Sequence, residues 1–186
     1  MILDTRTRRS PFSLPSAALG VVGLAAALVG CAPEPAPSPT PTAAFASEEE
    51  AFAAAEETYR AYNDAFNSLD ISNPATFDKL FELSSGNFEA ADRKTLSELR
   101  AEGLTLTGST TVSYFDGLKS EPPFERITAL VCIDVSRSDI VNMSGESVLD
   151  ASRLDVNPLV VTFVFSDGEL LIDRADREEE SACVAG

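Results

Sequence analysis

Leu159-Val160-Val161-Thr162-Phe163-Val164-Phe165-Ser166-Asp167-Gly168 is the stretch of this 186-residue chain that decides its fold. Val161, Phe163 and Phe165 fall on one side of a two-residue period, and Val160, Thr162 and Val164 on the other. β-Branched and aromatic residues in that alternation suit a pleated strand. Ser166-Asp167-Gly168 is a hairpin turn, and Glu169 to Asp173 returns as the partner strand. Upstream, Phe124 to Asp134 is the clearest strand, with Ile127, Ala129, Val131, Ile133 and Val135 on one face. Leu104, Leu106, Thr110, Val112 and Tyr114 suggest an earlier strand, interrupted at Gly108-Ser109. Asp116-Gly117 and Glu121-Pro122-Pro123 read as the connection after it. Asp139 to Val148 reads as a weaker strand with a turn at Ser144-Gly145.

The preceding third of the chain has a helical period instead. Ser47-Glu48-Glu49-Glu50 is a capping box: Ser47 can accept a backbone N–H, and Glu50 can reach back. Phe52, Ala55, Tyr59, Tyr62, Phe66 and Leu69 then recur at spacings of three and four, one stripe on a long helix. Asn73-Pro74 caps a short second helix with Phe77, Leu80 and Phe81 on its apolar side. Ser84-Ser85-Gly86 breaks it. A third helix is expected from Phe88 to Glu102, with Leu96 and Leu99 buried and Gly103 ending it. Two or three helices followed by three to five antiparallel strands define an α+β domain over residues 47–186, long enough for one real core.

Charge narrows the partners. The chain carries 14 basic and 30 acidic residues, a formal net charge of −16. Residues 1–30 are the exception: Arg6, Arg8 and Arg9 against Asp4 leave them at +2, so the remainder carries −18. Such a surface repels a phosphate backbone, and no nucleic acid partner is expected. The chain has no His, which removes Ser-His-Asp, Cys-His and His–Asp chemistry and most zinc sites. The acidic clusters Glu48 to Glu50 and Asp173 to Glu180 lack the spacing of a calcium loop. Neither a metal nor a cofactor is expected.

The N-terminus reads as an export signal. Three arginines precede an uncharged run from Ala17 to Val29, too short for a permanent membrane span. Arg8-Arg9 leaves the choice between general and twin-arginine export open. Leu28-Val29-Gly30-Cys31 follows and resembles the lipobox of bacterial lipoproteins. The resemblance implies removal of residues 1–30 and attachment of diacylglycerol to Cys31. Residues 31–46 then form a spacer: five of the chain's 11 prolines lie between Ala32 and Ala44. Alternating Pro populates extended polyproline II at about 3.1 Å per residue, enough to hold a domain roughly 40 Å from a membrane. The address is therefore extracytoplasmic and lipid-anchored, with the membrane as partner. Export also places Cys132 and Cys183 in an oxidising compartment. With Cys31 acylated, these two are expected to form a disulfide.

The order of helices and strands resembles the NTF2-like family, whose N-terminal helices close over a bent antiparallel sheet to make a cone. The lipobox, the long first helix, Cys132-Ile133-Asp134-Val135-Ser136 on a late strand and the C-terminal Cys183 resemble actinobacterial secreted lipoproteins carrying such a domain. The family implies a cavity inside the cone. Tyr59, Tyr62, Phe66, Tyr114 and Asp134 are the candidate lining, though Tyr59 and Tyr62 read first as core packing with hydroxyls reaching the rim. The family's isomerases and cyclases use a pocket carboxylate beside a tyrosine, and Asp134 is the candidate here. Followed by Ser136 and Ser138, Asp134 more simply ends a strand. No catalytic motif is present, and the reading is of a non-catalytic envelope lipoprotein that binds a small ligand or a partner protein. The alternatives are a structural module of the envelope and an isomerase or cyclase. Replacing Cys31 with Ala is expected to leave unprocessed precursor and abolish incorporation of labelled acyl chains. Wild-type protein found cleaved elsewhere and free of lipid would contradict the anchor.

Overall fold

The computed structural model describes residues 43–179 and Cys183. The export signal, Cys31 and most of the spacer lie outside the described residues. α1 runs over Glu48–Asn67. Its cap forms as the box demands: the Ser47 hydroxyl accepts the Glu50 N–H at 3.1 Å. The Glu50 carboxylate reaches back one residue further than the motif specifies, to the Ala46 N–H at 2.9 Å. Ala51, Ala55, Tyr59, Tyr62, Asn63 and Ala65 form its buried face. Phe52 and Phe66 pack against that core from its margin, and Leu69 lies beyond the helix.

Asn73 caps a 3-10 turn over Pro74–Phe77, which leads into α2, Asp78–Phe81. α3 spans Gly86–Glu102, beginning two residues before the expected Phe88. Gly103 ends it in the left-handed region at φ 69°, a conformation that favours glycine. Leu96 is buried in the core as expected, whereas Leu99 is only half-buried. Among the described residues no helix is long and apolar enough to cross a membrane.

Six strands follow: β1 Thr105–Gly108, β2 Thr111–Ser120, β3 Arg126–Asp134, β4 Ser138–Val141, β5 Val156–Ser166 and β6 Glu169–Arg177. β2, β3, β5 and β6 form a four-stranded antiparallel sheet in that order, and β1 pairs with β4 in a separate ribbon. Cross-strand register puts Ala129 beside Val161, and Ile127 beside Phe163, which faces Ile172. These residues have no exposed surface, and they form the concave floor on which α1 packs. Register shifts at Val112/Tyr114, Gly117/Lys119 and Thr162/Phe163 are bulges, and bulges bend and twist a sheet. Asp167 and Gly168 turn the β5–β6 hairpin with φ of 55° and 92°, the doubly positive pair whose twist matches its strands. The fold is α+β: three helices packed on a bent antiparallel sheet.

Three sequence expectations are corrected. Leu104 to Tyr114 is not one interrupted strand. It is two strands in two different sheets, because Gly108 turns at φ 72° directly against the Arg137 carbonyl, where a Cβ could not fit. Asp116-Gly117 is not a connection but the middle of β2, opposite Leu130 and Ala129. Gly117 reads as a turn residue in isolation, yet here its missing side chain makes room for the Phe52 ring of α1. β6 also runs four residues past Asp173, since β5 offers partners as far as Leu159.

The disulfide forms as expected. Cys132 and Cys183 are joined with a Cα separation of 5.9 Å, holding Cys183 against β3. Cys132 is buried. A bridge across a sequence separation of 51 restricts the unfolded chain, worth about 4 kcal/mol in the loop-entropy picture. Replacement of Gly117 by Ala is expected to lower stability by about 1–3 kcal/mol through overpacking against Phe52. Phe52→Leu should recover part of that loss in the double variant. Urea unfolding of the three variants checks both points, and an unaltered midpoint in Gly117→Ala would contradict the packing argument.

Candidate functional site

α1 and α3 converge over the end of the sheet where β3 and β5 leave it. On α1, Tyr59, Tyr62, Asn63 and Phe66 stand at helical spacing on one face. On α3, Phe88 and Asp92 are one turn apart. Ile133, Val135, Asn157, Leu159 and Arg177 come from the sheet end. Together these residues and Thr110 line an open cavity of about 270 Å³. A second cavity, of about 340 Å³, shares Phe66, Thr110, Val135, Asn157 and Arg177 with it and continues to Leu69, Leu106, Ile140, Leu149 and Arg153. The shared walls make the two spaces adjoin.

Polar groups enter this apolar space at defined points. The Tyr62 hydroxyl donates to Asp92 Oδ2 at 2.8 Å. Burial pushes the Asp92 carboxyl up to about 6; Glu89 adds to the effect, and the Tyr62 hydrogen bond opposes it. The Tyr62 phenol is held well above its usual range, by burial first and then by the charge and hydrogen bond of Asp92. Burial raises Tyr59 too, again with help from Asp92. Tyr62 rests against Phe88 at a ring separation of 5.2 Å and against Tyr59 at 5.9 Å. Asp92 is thus an acid in an apolar wall, poised to exchange a proton near neutrality.

Beside it lies a clamp. The chain changes sheets between Gly108 and Thr111, so the backbone there has no strand partner. Side chains of α1 supply the missing bonds: Asn67 Oδ1 accepts the Thr110 N–H at 2.8 Å, and Asn67 Nδ2 donates to the Thr110 carbonyl at 2.9 Å. Thr110 Oγ1 donates to Asn63 Oδ1 at 2.6 Å. These bonds hold α1 over the sheet end without filling the space beneath it.

The structure brings Tyr59, Tyr62 and Phe66 together in the cavity wall. It does not bring Tyr114 or Asp134 there. Tyr114 pairs with Cys132 on the outer side of the sheet and is 46% exposed. Asp134 accepts the Ser136 N–H at 2.9 Å and its hydroxyl at 2.6 Å, and these bonds lower its carboxyl below the usual range. Asp134 is therefore a strand-ending residue. Asp92 takes the place expected for it, and its signal was present: Phe88, Asp92, Leu96 and Leu99 trace the apolar stripe of α3 with one acid in it. Arg177 lay beyond the expected end of the last strand. Among the described residues no three acidic or Cys side chains converge as a metal site would require.

No family model matches the chain, and no curated protein is significantly similar to it. Solved structures share its architecture. The intermembrane space region of the chloroplast protein ARC6 has a TM-score of 0.50 at 12% identity, covering 68% of this chain and 95% of that one. A candidate aromatic ring hydroxylase from Novosphingobium aromaticivorans has a TM-score of 0.46 at 10% identity, covering 72% and 92%. A candidate polyketide cyclase from Pseudomonas putida has a TM-score of 0.36 at 14% identity, covering 67% and 90%. Of these only the first, at a TM-score of 0.50, bears on the architecture, and at 12% identity it bears on fold alone. Helices closed over a bent antiparallel sheet form the α+β cone that resemblance to the NTF2-like family implies.

The raised Asp92 carboxyl has a direct consequence for stability. Its folded value of about 6 lies above the roughly 3.9 of an unfolded aspartate. Between those values the folded state binds more protons, so stability rises as pH falls through about 6 towards 4 and is lost as pH rises. Asp92→Asn keeps an acceptor for Tyr62 and removes the charge. It should flatten that slope and add on the order of 2 kcal/mol at neutral pH, allowing for the site's contact with water. Thermal unfolding from pH 4 to 8 reads this; equal slopes in wild type and variant would refute it.

Proposed function

We propose that the domain is a non-catalytic small-molecule-binding module of the cell envelope, held at the outer face of the cytoplasmic membrane by a diacylglyceryl group on Cys31. The observation that carries the binding reading is the pair of adjoining cavities, about 270 and 340 Å³, with a few polar groups set in apolar walls. Pockets for small molecules have this constitution, at about 300 Å³ and upward. Export signal, lipobox-like motif and proline spacer support the envelope address.

A second reading, an isomerase or cyclase, is favoured by one observation: Asp92, whose carboxyl burial pushes up to about 6, accepts a hydrogen bond from a phenol. Binding is the better reading because Tyr62 commits its single proton to Asp92. The same phenol cannot at once donate to a substrate oxygen, and the chain has no His to stand in. Val135 lines both cavities, so Val135→Trp is expected to obstruct them. Calorimetry with a neutral apolar probe, naphthalenemethanol, should show saturable binding to wild type and at least tenfold weaker binding to the variant, with matching circular dichroism. Absence of binding to wild type, or equal binding to both, would rule the cavity out as the site.

A further inference from the structure

The cavity walls hold two guanidiniums that make no ion pair among the described residues, in a protein that is strongly acidic. Most Lys and Arg side chains among the described residues meet a carboxylate; Arg60 with Glu56, Arg93 with Glu89 and Arg174 with Asp176 are the tightest. Arg100, Arg137, Arg153 and Arg177 make no ion pair among the described residues. Two of these four, Arg153 and Arg177, line the cavity.

Arg153 is held by the Ser138 carbonyl, which it meets through Nη2. Arg177 belongs to both cavity halves and stands at a concave-face position of β6: register pairs it with Leu159, just as Ala175 pairs with Val161. Arg177 is exposed, so its aliphatic stem can lie along that apolar face with the guanidinium at the rim of the cavity.

Two acids share these walls, and neither meets Arg177 in an ion pair: Asp92 accepts from Tyr62, and Asp139 Oδ1 accepts the Ile140 N–H and the Ser147 hydroxyl, each at 2.7 Å. With Arg153 bonded to a backbone carbonyl, Arg177 is the guanidinium in this wall that has no ion pair or side-chain hydrogen bond among the described residues. A largely apolar space with such a planar cation suits an apolar molecule bearing one carboxylate, which a guanidinium binds through two parallel hydrogen bonds.

Building on the binding reading above, we propose that the joined cavity takes a small carboxylic acid, its apolar body on Phe66, Val135 and Leu159 and its carboxylate on Arg177. Three probes with one body and different heads test this: naphthoate, naphthalenemethanol and naphthylmethylamine. Calorimetry uses the full chain with its disulfide intact and with Cys31→Ala to keep it unlipidated, at about pH 8 so that Asp92 is ionised.

Naphthoate should bind at least tenfold tighter than the alcohol, and the amine no tighter than the alcohol. Arg177→Met should reduce naphthoate to the affinity of the alcohol while leaving the alcohol unchanged, which also shows that the variant is folded. Arg177→Lys should restore part of the preference. Equal affinities, a preference for the amine, or a naphthoate preference that survives Arg177→Met would overturn the carboxylate assignment and leave the cavity reading standing. Binding of none of the three would overturn both.

Discussion

Phe163 sits at the centre of the molecule, and both layers are built around it. It has no exposed surface and lies between Ile127 and Ile172 across the concave face. Tyr59 of α1 and Phe115 of β2 each approach its ring edge at a centroid distance of 6.4 Å. Aromatic pairs at that range contribute beyond simple area burial, each by about 0.5–1.5 kcal/mol. The contact also sets the position of α1. Small residues, Ala51 and Ala55, let the helix approach the sheet closely at one end, where Phe52 settles onto Gly117. Tyr59 and Tyr62, further along, are far larger, and they border the open space at the other end.

That space is the cavity, and the aliphatic side chains of Ile133, Val135 and Leu159 line it beside the rings of Tyr59, Tyr62 and Phe66. The Asn63, Asn67 and Thr110 clamp keeps α1 from collapsing onto the sheet end. It satisfies the backbone where the chain passes from one sheet to the other, so the space is maintained by hydrogen bonds whose loss would leave buried polar groups unpaired. The same geometry explains the chemistry of Asp92. A carboxylate on the underside of α3 loses much of its water and receives one hydrogen bond in return, from Tyr62. Burial then outweighs the hydrogen bond, and the acid is held near neutrality.

Charge is distributed with the same asymmetry. The chain is strongly acidic, and a net charge far from zero favours solubility. Positive charge is mostly tied up in helix and strand ion pairs on the surface, each worth little on its own. The guanidiniums that remain unpaired among the described residues are therefore conspicuous where two of them, Arg153 and Arg177, face a cavity.

Much of this was legible in the sequence. Periods of two and of three to four residues located the helices and the central strands, since each element must present one apolar face to a shared core. The Ser47 cap, Gly103 and the Asp167-Gly168 turn act over a few neighbouring residues, and their signals are local. The cysteine pairing followed from compartment and count. Other features depended on what lies opposite in space. Gly117 is a turn residue by composition and a strand residue by contact, because the Phe52 ring that occupies its missing side chain comes from 65 positions earlier in the chain. Asp134 and Asp92 look alike in one dimension, each an acid within an apolar pattern. Only the tertiary structure separates them: Ser136 reaches Asp134 at the outer end of its strand, while α1 lays Tyr62 and a layer of apolar side chains over Asp92. Periodicity determines which face of an element is buried; the dielectric and partners that a buried group meets are decided by the element packed against it.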